Sequence, residues 1–252
     1  MDLRRAAALL LTPAVLFSAC SENEDSPARP QTSPQASLSP TSEPSATLAG
    51  HLDCPEQEEV LAGEPEGSLE GDVDGDGAPD EVGLYKDPEG TAECGAFLVF
   101  ESDEARHSTP VAQEGMSTDL GFPVLRGLVE LDGEPGSEIV VGLLAGASTE
   151  FFGVWTERDG ELARIGIADP TGAGDLFPSG GSVGHVDASD CAGDGIIVIS
   201  SAVPQGDGYR VTRTFYRFEE ERAVRQSRER KQIAGADFDR FPEFIASPFG
   251  SC

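Results

Sequence analysis

Residues 72–80 read Asp-Val-Asp-Gly-Asp-Gly-Ala-Pro-Asp, and this acidic stretch is the strongest local signal in the chain. Carboxylates stand at positions one, three, five and nine, and glycines at positions four and six. Oxygen ligands at this spacing on a tight loop suit calcium, which takes about six to eight of them. We therefore predict one calcium ion held by the side chains of Asp72, Asp74, Asp76 and Asp80 and the backbone carbonyl of Ala78.

Two other interpretations of this loop must be weighed. An EF-hand has a bidentate glutamate at position twelve between two helices, whereas position twelve here is Gly83 and the apolar residues around it indicate a strand. The second alternative is an acidic turn without metal, since Asp and Gly dominate turns. Four carboxylates with no lysine or arginine inside the loop would repel one another without a cation, which favours the metal.

The acidic pattern recurs twice along the chain. Residues 130–138 read Glu-Leu-Asp-Gly-Glu-Pro-Gly-Ser-Glu, and residues 186–194 read Val-Asp-Ala-Ser-Asp-Cys-Ala-Gly-Asp. Position nine falls at Asp80, Glu138 and Asp194, which are 58 and then 56 residues apart, and an apolar run follows each time. A near-constant period indicates a repeat architecture.

The second and third loops are predicted to bind calcium less well than the first. Pro135 restricts the turn of the second loop, and its longer glutamates enlarge the cage. The third loop has Val186 and Ala188 at positions one and three, so we expect it to hold no calcium. The predicted ligands of the weaker second site are Glu130, Asp132, Glu134 and Glu138.

Together with the strand-like residues that follow them, these loops resemble the FG-GAP/VCBS repeat family, whose calcium-loop blades occur in integrin-type β-propellers. The first unit gives GDVDGDGAPDEVGLY and then GAFLVFES, the second loop is followed by FFGVWTERDGELARIGI, and the third by YRVTRTFYRFEEE. The resemblance covers about residues 65–235. It implies that each unit is a propeller-like blade with a loop, a hydrophobic strand and an aromatic strand.

The repeats predict an all-β fold. Each period holds three or four short runs rich in Val, Ile, Phe and Tyr, separated by Gly, Asp and Pro, which is typical of a small antiparallel sheet. We expect three such sheets, with repeats near 69–126, 127–183 and 184–252, in a domain over 51–252. A closed propeller has about four to eight blades. Three blades therefore predict an open or partial propeller, or a ring completed by two chains, and we favour the open arc.

The N-terminus predicts export. Two arginines precede an apolar stretch over residues 6–17, which is too short to span a bilayer and is typical of a secretory signal. It resembles the signal of bacterial lipoproteins, which implies a signal peptide over 1–19 and lipid on Cys20. The anchor would hold the protein on the outer face of the cytoplasmic membrane; plain secretion is the alternative. Residues 20–50, rich in Pro, Ser and Thr, predict a disordered tether.

The other four cysteines predict disulfides. Cys54, Cys94, Cys191 and Cys252 are an even number in a chain expected to enter an oxidising compartment. Three sets of pairs are possible. We favour Cys54–Cys94, which would fasten the start of the domain to the first unit, and Cys191–Cys252, which would place a covalent tie in the third loop.

The net charge restricts the classes of partner that this protein is expected to bind. The formal net charge is −29, so nucleic acid is a poor partner. Arginines are concentrated in residues 210–231. They form either a patch for anionic lipid headgroups or wall polymers, or ordinary exposed strand faces interleaved with glutamates.

Signals for catalysis are weak. Residues 180–184 match G-x-S-x-G, but a nucleophile elbow needs a strand before the serine and a helix after it, which the flanking residues do not predict. We assign no catalytic residue and expect a binding or scaffolding module, stabilised by calcium, that contacts an envelope protein or polysaccharide. The alternative is a cell-wall or periplasmic hydrolase with a site built from acids across the repeats.

Overall fold

The computed structural model describes residues 54, 57–87, 90–91, 94–103, 105–111, 121–168, 175–182 and 184–252. The predictions of a signal peptide, of lipid on Cys20 and of a tether lie outside these residues. The all-β prediction is confirmed: the described chain has fourteen strands, one short α-helix (α1, Gln57–Leu61) and two 3-10 helices (Gly235–Arg240 and Pro242–Phe244). None of the described helices has the length and apolarity needed to cross a membrane.

The first repeat folds into a four-stranded antiparallel sheet whose strands lie in chain order. Its inner strands are buried on both faces, since apolar residues such as Val82 and Leu98 alternate with other buried positions. Helix α1 is fastened beside this sheet by a hydrogen bond from Gln57 Nε2 to Ser108 Oγ (2.7 Å). The strands are β1 (Gly67–Gly71), β2 (Asp80–Lys86), β3 (Ala96–Glu101) and β4 (Arg106–Pro110).

The second and third repeats each contain an antiparallel meander of four strands in chain order. The strands of the second are β5 (Val124–Val129), β6 (Glu138–Ala145), β7 (Thr149–Arg158) and β8 (Glu161–Arg164). Two short strands follow, β9 (Gly166–Ile167) and β10 (Phe177–Ser182). The strands of the third are β11 (His185–Gly193), β12 (Ile196–Gln205), β13 (Gly208–Glu219) and β14 (Arg222–Ala234).

The expectation of three separate sheets was wrong, because the second and third meanders belong to one ten-stranded sheet. β7 is longer than its partner β8. Its second half, residues 155–158, pairs with β8, and its first half, residues 149–152, pairs with β10. β10 pairs in turn with β11. The backbone groups along the first half of β7 thus find partners in β10 and need none from solvent.

The ten-stranded sheet also curls without closing. β8 and β9 are separated only by Ile165; β8 pairs with β7, whereas β9 pairs with β14. This second pairing is limited to Arg222 and Ala223 of β14. β9 therefore joins the second meander to the outer edge of β14 over two residues, and the described strands show no further pairing along that edge.

Two apolar cores lie on the two sides of the second meander. Ile139 and Val141 of β6 belong to a core shared with the first sheet, which includes Val82, Leu98 and Phe100. Their neighbour Val140 belongs to a core shared with the third meander, which includes Phe177, Ile197 and Tyr216. Successive residues of a strand face opposite sides. The second repeat is therefore packed between the first and the third.

Both predicted disulfides are present, Cys54–Cys94 and Cys191–Cys252. The second fastens the C-terminal residues along β11, where the Phe249 amide donates to the Ser189 carbonyl (2.9 Å). Because β10 pairs with β11 only as far as Asp187, these residues cover a strand edge that would otherwise be open.

The two 3-10 helices cover one face of the third meander. Three phenylalanines pack against Ala202, Val211 and Ile233: Phe238, Phe241 and Phe244. Beside them Glu243, which is 6% exposed, forms an ion pair with Arg213 Nε (2.9 Å) and accepts a hydrogen bond from Ser200 Oγ (3.1 Å).

Candidate metal centre

The first acidic loop joins β1 to β2 and is folded around its own carboxylates. Asp72 accepts two backbone hydrogen bonds, from Gly75 to Oδ1 (2.8 Å) and from Gly77 to Oδ2 (3.1 Å). Both glycines have positive φ, 80° and 86°, a conformation that other residues adopt only with strain. The glycines at positions four and six thus allow the chain to turn back towards the first carboxylate.

The next two carboxylates hold the turn in the same manner. Asp74 Oδ1 accepts a hydrogen bond from the Asp76 amide (3.0 Å), and Asp76 Oδ1 accepts one from the Ala78 amide (2.6 Å). Such short-range bonds from a side chain to the amide two residues on are the reason why Asp is favoured in turns. Each of these carboxylates retains its second oxygen, Oδ2, for another ligand.

Asp80 ends the loop and starts β2. Its side chain is 3% exposed, and Oδ2 accepts hydrogen bonds from the amides of Val73 (2.7 Å) and Asp74 (3.3 Å). Burial raises the pKa of Asp80, the two hydrogen bonds oppose the rise, and the charges of Asp74 and Asp76 add to it. A cation beside this carboxylate would favour its ionised form.

Three of the four predicted carboxylates lie together. Oxygen atoms of Asp72, Asp74 and Asp80 are within 4.8 Å of one another, and no other group of three acids, histidines or cysteines in the described residues is this close. Asp76 is outside the group. A donor set made only of oxygen, with one member buried, fits a hard cation such as calcium better than zinc, which prefers nitrogen and sulfur.

The second loop repeats one hydrogen bond of the first. The Leu131 amide donates to Glu138 Oε2 (2.6 Å), as the Val73 amide donates to Asp80, so position two is bonded to position nine in both loops. Glu138 is 2% exposed, and burial raises its pKa to about 7, with the charge of Asp132 adding to the rise.

The other predicted ligands of the second loop have different surroundings. Asp132 forms an ion pair with Arg158 at the end of β7, and its Oδ1 also accepts a hydrogen bond from the Glu134 amide (2.8 Å). The side chains of Glu130 and Glu134 are exposed. Arg158 thus supplies positive charge beside Asp132, a contact that the sequence pattern did not indicate. Calcium at this loop stays a prediction.

In the third unit, a tight turn joins β11 to β12 where the other units have the acidic loop. Asp190, at position five, is buried and accepts hydrogen bonds from the Ser251 amide (2.9 Å) and hydroxyl (2.8 Å). Asp194, at position nine, is exposed in the turn. The acid nearest the Cys191–Cys252 disulfide is therefore used to hold the C-terminal residues.

Neighbouring loops of the three units are in direct contact. The Ser137 amide donates to the Asp72 carbonyl (2.9 Å). A Cβ atom on Gly136 would lie only 2.6 Å from the Val73 carbonyl oxygen, and one on Gly195 would collide with the carbonyl of Asp132. The first loop thus lies against the second, and the second against the turn of the third unit.

The residues of the G-x-S-x-G match do not have the surroundings of a nucleophile elbow. Gly180 lies in β10, and the next described element is the strand β11, which begins at His185. His185 Nε2 lies 3.1 Å from Asp187 Oδ2. A nearby cavity of about 610 Å³ has Asp187 as the only acid among its lining residues. A second cavity, of about 240 Å³ between the first two loops, is lined by Arg158 and by four acids, Asp74, Glu138, Glu157 and Asp159, with no histidine in its lining.

Comparisons with known proteins give no relative: no protein-family model, curated protein or solved structure matches this chain.

Proposed function

We propose that this protein is a calcium-stabilised β-repeat module that is anchored at the outer face of the cytoplasmic membrane through lipid on Cys20. The observation that carries the proposal is the first loop, where oxygens of Asp72, Asp74 and Asp80 lie within 4.8 Å of one another. Asp76 and the Ala78 carbonyl would complete the ligands together with water. Disulfides persist in oxidising compartments, so the two described bridges support a location outside the cytoplasm.

The three meanders support membership of the FG-GAP/VCBS repeat class. Each follows chain order, and the hydrogen bond from position two to position nine is common to the first two loops. Our proposal for their arrangement is an open arc of three blade-like meanders, of which the second and third are joined through β10. The module would contact an envelope protein or polysaccharide through its loops.

Calorimetry with the full chain tests the calcium site, with Cys20→Ser to prevent lipidation. We expect calcium binding to one strong site, which Asp74→Asn and Asp80→Asn each abolish. Asp207→Asn is the matched control, because it removes an exposed acid from the turn between β12 and β13. If calcium does not bind, or binds unchanged to both loop variants, the proposal of a metal centre fails.

A pulldown from cell envelopes tests the binding role. We expect an envelope protein or polysaccharide to be retained in calcium and lost when a chelator or Asp80→Asn removes the ion. Retention that is equal in all three conditions would separate partner binding from the metal.

A further inference from the structure

One face of the ten-stranded sheet lines a half-open cavity of about 610 Å³. This volume is within the range of about 300–1,000 Å³ that is usual for small-molecule sites. One wall is apolar and consists of Leu144 on β6, Phe151 on β7 and Pro178 on β10, which lie side by side in the register of the three strands. Leu176 extends the same wall.

The opposite side of the cavity is polar. Thr212 and Thr214 of β13 line it together with Ser201 of β12, and Arg228 of β14 lies directly across from Thr214. Because residues paired across antiparallel strands share a face, the Arg228 guanidinium and these hydroxyls are presented to the same space.

More positive charge lies on the same face. Arg230 pairs with Thr212, and Arg210 precedes Thr212 by two residues, so both share the face of Arg228. Within the described residues, no carboxylate lies at ion-pair distance from these three arginines. The one acid of the cavity, Asp187, lies beside His185. These arginines form a positively charged surface in a chain whose net charge is −29.

This combination defines the chemistry of a ligand. Arginine pairs with carboxylate and phosphate through parallel N–H donors, and hydroxyl groups can donate to the remaining oxygens. The apolar wall opposite needs a non-polar group to cover it. Arg228 and the two neighbouring arginines of the same face favour an anion over a cation as the occupant, and a purely ionic ligand would leave the apolar wall in water.

We propose that this cleft binds one small amphipathic anion from solution, with its carboxylate or phosphate at Arg228, Thr212 and Thr214 and its apolar body against Leu144, Phe151 and Leu176. The site is separate from the acidic loops and does not depend on calcium.

Titration calorimetry with the full chain carrying Cys20→Ser tests this, using octyl phosphate and octanoate below their micelle concentrations. We expect both to bind. Octyl glucoside lacks the negative charge and inorganic phosphate lacks the apolar chain, so each should bind at least about tenfold more weakly. Chelator should leave the affinity unchanged, so failure of the metal proposal would not affect this result.

Variants locate the site. We expect Arg228→Gln and Thr214→Val each to weaken the binding of octyl phosphate by about tenfold, which is the effect of losing one charge-assisted hydrogen bond. Arg217→Gln makes the same change of charge on the opposite face of β13 and should have no effect. An unchanged melting temperature shows that each variant is folded. Four results would overturn the proposal. They are binding of octyl glucoside as strong as that of octyl phosphate, no binding of any probe, a loss of affinity with Arg217→Gln equal to that with Arg228→Gln, and binding only to vesicles of anionic lipid.

Discussion

Glu138 is a buried carboxylate, and its burial links stability to pH. Burial raises its pKa to about 7 from the ordinary value of 4.5. Between these values the folded protein holds a proton that the unfolded chain has released. The contribution of Glu138 to stability is therefore fully present below pH 4.5 and is lost as the pH rises through about 7.

Replacing Glu138 with Gln should remove this dependence. Glutamine keeps an oxygen that can accept the Leu131 hydrogen bond but does not ionise. We expect the free energy of unfolding of Glu138→Gln to equal that of the parent near pH 4.5. At pH 8 it should be higher than that of the parent by on the order of 2–3 kcal/mol. Urea unfolding in chelator at the two pH values measures the difference. If parent and variant have the same pH profile, Glu138 ionises normally in the folded protein.

Gly136 tests the contact between the first two loops. It has a φ of 104°, and an added Cβ would lie 2.6 Å from the Val73 carbonyl oxygen. We expect Gly136→Ala to lower the free energy of unfolding by about 3 kcal/mol, since backbone strain and a steric clash add. Gly206→Ala is the control: its φ is 60°, nothing lies within 4 Å, and a loss of about 1 kcal/mol is expected. Equal losses would mean that the loops can separate freely.

The elements differ in how far the sequence predicts them. Strands β2, β6 and β12 follow directly from apolar runs after each loop, because burial on both faces requires such runs. β10, in contrast, reads Phe-Pro-Ser-Gly-Gly-Ser, a composition typical of a turn. It becomes a strand because β7 and β11 offer it unpaired edges on both sides. That pairing joins distant residues, and no local pattern predicts it.

The C-terminal 3-10 helices are held by a buried ion pair, and this can be measured. Glu243→Gln removes the carboxylate 2.9 Å from Arg213 Nε and leaves the partly buried guanidinium only the more distant Glu229, 3.9 Å from Nη1. We expect a loss of about 3 kcal/mol in the free energy of unfolding. The matched variant Asp237→Asn breaks the exposed pair with Arg240 and should cost less than about 1 kcal/mol. Similar small losses in both variants would show that the helices are held by their phenylalanines alone.

For the molecule as a whole, calcium should act on stability and not on chemistry. An ion that binds only the folded state stabilises it by about 2.7 kcal/mol when its concentration is a hundredfold above Kd. We expect the melting temperature to rise on adding calcium and to fall with chelator, and Asp80→Asn to abolish the difference. If calcium does not change the melting temperature of the parent chain, the metal does not have a structural role.

The candidate sites also differ in what sequence can predict. The first loop is contained in nine successive residues, and their spacing predicts that its acids lie together, as Asp72, Asp74 and Asp80 do. The cleft on the large sheet is lined by residues from Leu144 to Arg228, which come together only because the sheet curls. The arginines of β13 and β14 could be listed from the sequence, but their shared face depends on strand register.

The close contact of the inner turns, with Gly136 against Val73 and Gly195 against Asp132, bears on how this chain can diverge over generations. The hairpin at Gly206 has no neighbouring repeat against it and can gain or lose residues without moving one. The turns that contact each other, which we call the inner turns, have no such freedom, because each one positions the next. We expect descendants of this sequence to preserve the distance between inner turns long after their acids have been replaced, and Val186 and Ala188 already stand at positions that are acidic in the first loop.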